Sequence, residues 1–338
     1  MANADVGRPR FFCDHINYLM SRGVAQNGNF DVVTPSGALA IQTGSEAELF
    51  DMNPLNQVNF NTSDNTSSHV LVNIDTAGAF QKSFVAILNH NMKTADCRVV
   101  VKGSDTENHV NAVDMSGATD MANPVHVVNA NAISSSTITP DSDGSTIVTF
   151  DESNLRYWGL QFEGDTAFDG TTDLSIGCIL IGEVYSMPVS PSMELTRSIT
   201  FDQVKVLESA GGRRFANMST SGKEVSATSK APFATSIYQS STHGGRISYD
   251  LHFSHVASTD LMPNQIHAIS TGDDAVVEDV WNKTNGAHIP FIFSCDKDAL
   301  GDNAESEHIF ARFKQSSLSM SQVAHKLWSF NLKIEEEF

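Results

Sequence analysis

Residues 174–192, LSIGCILIGEVYSMPVSPS, constrain this chain more than any other stretch. Leu174, Ile176, Cys178, Leu180 and Val184 fall on one side of an extended chain with Gly182 as the gap among them, and Ile179 and Ile181 make the opposite side apolar too. Side chains alternate across a strand, so the pattern predicts a strand buried on both faces with a layer packed on each. Pro188 and Pro191 follow, flanked by Ser190 and Ser192. Proline has no N–H to give to a ladder, so the sheet is expected to stop there and the chain to pass from one β body into a second.

A length of 338 residues exceeds what one core ordinarily organises, and two domains are the default. The expected boundaries are an N-terminal arm or short helix over 1–30, a sandwich over 31–187 and a second β-rich domain over 193–338. The 21 Lys and Arg against 40 Asp and Glu give a net charge of −19, with the acid scattered along the chain. Such a field repels phosphate, which argues against nucleic acid and anionic membrane as partners. Nowhere do apolar residues run long enough to span a bilayer, so no membrane insertion is expected. MANADVGRPR holds no apolar leader core, which predicts synthesis and folding in a cytoplasm. Cys13, Cys97, Cys178 and Cys295 lie far apart with no C-x-x-C pair, and they read as reduced, buried small hydrophobes.

Taken in order, Phe12, Ile16, Tyr18 and Leu19 have mixed helical spacing, with Gly23 as a stop. Residues 28–67 read as turns and short edge strands. Clear alternation begins at Val70, Val72 and Ile74, and continues through Phe84, Ala86 and Leu88, the valines of 98–102, Val148 with Phe150, and Trp158, Leu160 and Phe162. Strands at intervals of roughly 10 to 15 residues without periodic helices between them indicate an antiparallel jelly-roll sandwich. Between two of them His90, in NHN, is positioned to fix its turn by bonding to backbone. The polar stretch 103–143 reads as a long loop, and long loops in compact domains are commonly functional.

Beyond the prolines, AGGRR at 210–214 reads as a tight turn, and 246–254 alternates with Ile247, Tyr249, Leu251 and Phe253 inward. Residues 273–285 predict the helix of this half, capped by Asp273 or Asp274, with Val276, Val277, Val280 and Trp281 on one stripe that covers a sheet. Strands follow at 289–295, 309–313 and 327–334, the last running into Glu335, Glu336 and Glu337, like charges expected at a domain edge. The fold class is therefore mainly β: an N-terminal antiparallel jelly-roll sandwich followed by a β-rich α+β domain carrying one helix.

Chemistry is hard to find in this pattern. His252 and His255, three apart on a strand, point to opposite faces and cannot share an ion. Asp141, Asp143 and Gly144, like Asp296, Asp298 and Asp302, resemble pieces of a calcium loop without the closing Glu, and read as polar turns. There is no G-x-S-x-G elbow and no local Cys–His signature, and Gly211–Arg214 fits neither a P-loop nor a dinucleotide fingerprint. Trp158, Trp281 and Trp328 fall on the apolar phase of their elements, which makes them core residues and not a sugar platform. No catalytic, cofactor-binding or metal residue is assigned, no cofactor is expected, and the expected class is not an enzyme.

FVAILNHNMKTADCRVVVKGSD from Phe84, then YWGLQF, LSIGCILIGEVYSMPVSPSMELTRSITFD, the turn at Gly211, and the closing IPFIFSCDKD, HIFARF and LWSFNLKIEEE resemble structural proteins of tailed bacteriophages, those of the tail tip and baseplate. The resemblance implies a galactose-binding-like jelly roll in the first half joined to a tail-assembly β domain. It implies a virion structural protein, a tail-tip or baseplate ring or adaptor component in the tail, which forms a ring-shaped homo-oligomer, contacts other phage tail proteins and supports host attachment. The alternative is a receptor-binding module for a host surface glycan. That alternative predicts an exposed aromatic in a cleft with neighbouring Asn or Asp. The stretch 103–143 departs from the family pattern.

Overall fold

Two antiparallel sheets carry the fold of the computed structural model, which describes residues 7–24, 30–35, 37–78, 80–112, 114–129, 132–193, 195–201, 206–216, 223–225, 242–266, 273–298 and 307–337. The larger sheet has 11 strands and runs in the order Thr196–Thr200, Arg246–Ala257, Leu327–Glu336, His308–Phe313, Phe291–Ser294, Arg10–Asp14, Cys178–Ser186, Lys82–His90, Gly144–Ser153, Val125–Val128, with Met320–Ala324 joined to Leu327–Glu336. The smaller has 7 strands: Phe30–Val33, His69–Asp75, Tyr157–Gly164, Cys97–Ser104, Thr137–Thr139 and Ala132–Ser134 in order, with Thr119–Asp120 beside Cys97–Ser104.

Alternation decides what each face of the larger sheet buries. Val85, Ile87, Ile179 and Ile181 face Val72, Ile74, Val99, Leu160 and Phe162 of the smaller sheet, and these residues form the sandwich core. Farther along that face Tyr185 joins Phe11, Phe293, Leu251 and Ile334 in a second core, covered by Val276, Val277 and Val280. The opposite face carries Phe12, Phe84, Leu180, Ile292 and Phe310, closed by Tyr18 and Leu19. The fold is mainly β with few helices, as the alternation indicates, and Cys178–Ser186 is buried on both faces as its sequence requires.

Several expectations need correction. Residues 174–192 are not one strand: Leu174–Ile176 pairs with Val58–Phe60, and only Cys178–Ser186 enters the large sheet. Within 1–30 the expected short helix is present as His15–Ser21, but the residues before it form no arm; they are the strand Arg10–Asp14. RFFCD is buried throughout, with Phe11 and Phe12 serving cores on opposite faces, and that burial is unattainable for an arm. Asp14 ends the strand and caps the helix, its Oδ2 accepting from the Asn17 N–H at 2.7 Å. The expected boundary between 31–187 and 193–338 is crossed by the large sheet, since Arg10–Asp14 pairs with Cys178–Ser186 on one side and Phe291–Ser294 on the other.

The stretch 103–143 is structured and no long loop, holding the helical turn Glu107–Val110 and the strands Thr119–Asp120, Val125–Val128, Ala132–Ser134 and Thr137–Thr139. Thr119–Asp120 is exposed and Thr137–Thr139 buries Ile138 alone, so these short strands hide in a polar composition. The helix expected over 273–285 is a π-helix, Val276–Asn282, and neither Asp273 nor Asp274 is its cap residue; the Ala275 N–H is met from inside by Asp279 Oδ2 at 2.9 Å. Glu335, Glu336 and Glu337 do not repel at an edge, because Leu327–Glu336 is paired on both sides. Lys314 lies 2.9 Å from Glu335, Arg312 grips Glu337, and Glu336 accepts from the Ile247 N–H at 2.8 Å.

Gly182 lets Cys178–Ser186 pack tightly on Arg10–Asp14, since a Cβ there would lie 2.0 Å from the Cys13 carbonyl oxygen. That neighbour is backbone and cannot rotate away. Gly182→Ala is therefore expected to cost about 3 kcal/mol or more in urea denaturation, while Gly211→Ala, with open space around it, is expected to cost little.

Candidate functional site

The candidate site lies on the outward face of the smaller sheet. Val72 and Ile74 point into the sandwich core, so Asn73 between them points out, in a row with Asp31 on one neighbouring strand and Gly159 on the other. Glu107–Val110 and Met115 cover this face. Gly159 makes the cover possible, because a Cβ there would meet Met115 Sδ at 2.6 Å and Val110 Cβ at 3.2 Å. Between cover and edge strand remains a pocket of about 90 Å³ bounded by Phe30, Asp31, Asn73, Glu107, Asn111 and Tyr157.

The floor of the pocket is unpaired. Asn73 is only 9% exposed, yet neither its Nδ2 nor its Oδ1 has a hydrogen-bond partner, and Asn111 Oδ1 is buried in the same condition. Buried polar groups are nearly always bonded, and leaving one bare costs about 1–3 kcal/mol. One wall is fixed: Arg156 donates to Asp75 through Nε at 2.7 Å and Nη2 at 2.8 Å, and its guanidinium lies 4.8 Å from the Tyr157 ring centroid. Burial would raise the Asp75 carboxyl, but the Arg156 hydrogen bonds outweigh it and hold the group below its ordinary value. Behind this wall Lys82 is fully buried, its Nζ donating to the Leu155 carbonyl at 2.8 Å. Burial pulls the Lys82 ammonium down to about 7, against the opposing charges of Asp75 and Asp105.

A second polar cluster lies where the sandwich core meets the second core. Lys283 donates to Glu183 and, at 2.7 Å, to Asp279, all three buried. Burial by itself would lower the Lys283 ammonium; the Asp279 and Glu183 carboxylates overcome that and hold it above its ordinary value. Glu152, Glu183 and Asp274 bring carboxylate oxygens within 4.8 Å of one another. Glu183 already has its counter-charge in Lys283, so the trio is an acidic rim on an ion pair.

The residues weighed from sequence take other places. His252 Nδ1 bonds Asn331 Oδ1 at 2.5 Å, and His255 is exposed in a bulge at φ 61°. Asp143 accepts from Thr94, and Asp296 accepts from the Asp298 N–H at 3.0 Å, both as turn residues; Asp302 lies outside the described residues. Gly212 closes the hairpin of Val206–Glu208 with Arg214–Ala216, and Arg214 pairs with Glu208 at 3.1 Å. Trp158 is a core residue at 1% exposure, while Trp281 and Trp328 are half-buried against the second core. His90 accepts from the Met92 N–H at 3.2 Å and bonds Thr146 Oγ1 at 2.8 Å, which ties its turn as expected. The four cysteines are free and buried.

Asn73 and Tyr157 were not singled out by sequence. The available signal was an Asn inside the otherwise apolar run HVLVNID, a residue type that strands disfavour.

No family model matches the chain, and no curated protein matches it. Among solved structures, chitosan-binding module 1 from a chitosanase/glucanase of Paenibacillus sp. IK-5 is 12% identical at a TM-score of 0.30, covering 47% of this chain and 96% of that one. CBM32-1 from a family 31 glycoside hydrolase of Clostridium perfringens is 9% identical at a TM-score of 0.30, covering 46% and 94%. A truncated AlyQ with CBM32 and alginate lyase domains is 9% identical at a TM-score of 0.27, covering 69% and 60%. Likeness at this level carries no ligand or reaction across to the present chain.

Lys283→Met strands two buried carboxylates and is expected to cost about 3–5 kcal/mol in urea denaturation, with part restored when Glu183→Gln and Asp279→Asn are added. Lys82 behaves oppositely. Its folded value of about 7 lies below the ordinary 10.5, so between those limits the unfolded chain binds more protons and stability rises with pH. Relative to Lys82→Met, the parent chain is expected to gain about 1 kcal/mol per pH unit between roughly pH 7.5 and 9.5.

Proposed function

We propose that the chain is a virion structural protein of a tailed phage, a tail-tip or baseplate ring or adaptor component whose work is to hold neighbours and support host attachment. The observation that carries the assembly part is the distribution of exposed apolar surface. Of the 11 large hydrophobic side chains exposed among the described residues, 6 fall within 193–215: Met193, Ile199, Phe201, Val206, Leu207 and Phe215. Leu207 at 71% and Phe215 at 58% sit opposite each other on a hairpin whose every described residue is exposed. Apolar patches of this kind are disfavoured on a solitary molecule and mark contact surfaces. Thr196–Thr200, wholly exposed at the end of the large sheet, adds a strand edge to which another chain can pair. The sequence resemblance to tail-tip and baseplate proteins supports the location.

A second reading, a receptor-binding module for a host surface glycan, is favoured by the pocket at Asn73, where an aromatic ring stands beside Asn and Asp side chains.

Light scattering on the purified protein is expected to give a closed oligomer. The double variant Leu207→Asp, Phe215→Asp is expected to be monomeric with an unchanged circular dichroism spectrum. Mass spectrometry of purified particles is expected to find the chain in the tail; a monomeric protein absent from particles ends the assembly reading.

A further inference from the structure

The pocket over the smaller sheet has a floor whose chemistry selects among ligands. Asn73 presents a donor, Nδ2, beside an acceptor, Oδ1, both buried and both without partners, and Asn111 Oδ1 adds a second bare acceptor. A carboxylate or phosphate would satisfy only the donor, and it would meet the carboxylates of Asp31 and Glu107 around the opening, Asp75 being already paired with Arg156. A lone ammonium would satisfy the acceptors and leave Nδ2 bare. A hydroxyl both donates and accepts, so two adjacent hydroxyls can pair the Asn73 amide on both atoms and still reach Asn111.

Size sharpens the choice. The pocket of about 90 Å³ between cover and edge strand has room at its floor for the hydroxyl-bearing edge of a sugar. Tyr157 stands at the wall, held by Arg156, which is itself clamped on Asp75. The wall therefore needs no rearrangement to receive a ligand.

We infer that the Asn73 pocket binds the edge of an uncharged sugar through two adjacent hydroxyls and refuses acidic sugars. The inference rests on the glycan reading above and is independent of the assembly reading. Asn73 receives one hydroxyl with its Nδ2 donating and the other with its Oδ1 accepting, while Asn111 accepts from whichever hydroxyl lies nearer the cover.

The test is titration of the full chain, followed by ligand-observed saturation-transfer NMR, with methyl α-glucoside, methyl α-galactoside, methyl α-mannoside and glucuronate. At least one neutral glycoside is expected to bind in the millimolar range and glucuronate is not. Asn73→Leu, close in size and without the polar pair, is expected to weaken that binding by roughly tenfold or more while the thermal melt stays at or above the parent's. Asn111→Ala, on a half-buried residue of the cover, is expected to weaken it by a smaller factor, and it decides the matter if Asn73→Leu fails to fold. Glucuronate binding as tightly as the neutral glycosides, with loss on Asn73→Leu, overturns the inference and leaves the glycan reading standing. Neutral binding that neither variant weakens overturns the assignment of this pocket. No binding by any of the four overturns the inference and the glycan reading together, and the oligomer seen by light scattering is unaffected by that result.

Discussion

The hydrogen bonding of Arg10–Asp14 on both of its edges is the constraint on which the rest of the architecture depends. Without it the large sheet would break between Cys178–Ser186 and Phe291–Ser294. The strand is only five residues long, and it succeeds because each side chain is buried and the two phenylalanines serve different cores. Phe11 touches Phe291, Phe293 and Phe313, with ring centroids 5.6, 5.2 and 6.1 Å away. Phe12 meets Phe84 edge-on at 5.3 Å. Such rings contribute beyond the area they bury, and this cluster draws on both halves of the sequence.

Polar groups at depth are handled in two ways. Asp14, His90, Asn89 and Lys283 are each matched by named partners, so that burial is compensated by hydrogen bonds or counter-charge. Asn73 is the contrary case, buried in a well-formed sheet with its amide facing a cavity. A Leu at that position would fit the strand better, since HVLVNID is otherwise built of strand formers on both sides. The departure from local preference falls at the pocket, and functional positions are where such departures are expected.

The sequence made the longer strands of the sandwich legible because they are apolar on at least one face, from Val70 to Ile74 and from Phe84 to Leu88. The closing strand Leu327–Glu336 was legible for the same reason, but its acidic end was not: the cations that neutralise it, Arg312 in His308–Phe313 and Lys314 just beyond it, meet it only in space. The placement of Arg10–Asp14 escaped because five residues are too few to show a period. The covering segment escaped because Val110 and Met115 are isolated hydrophobes in a polar stretch, buried where the cover meets the sheet at Gly159. The same polar stretch, read as a long loop of the kind that is commonly functional, supplies Glu107 and Asn111 to the lining of the pocket.

A sheet whose middle strand comes from one end of the chain sets an order on folding. Phe11 must wait for Tyr185 and then for Phe293 before both of its edges are complete. Closing loops of that span is entropically slow, and contacts so distant in sequence place the chain among slow folders. During translation the sandwich strands can associate as they leave the ribosome, yet the slot for Arg10–Asp14 stays half-built until Phe291–Ser294 has been made. Until Phe291–Ser294 has been made, the strand that carries Phe11 and Phe12 keeps one edge without its partner, the kind of edge that other chains can join.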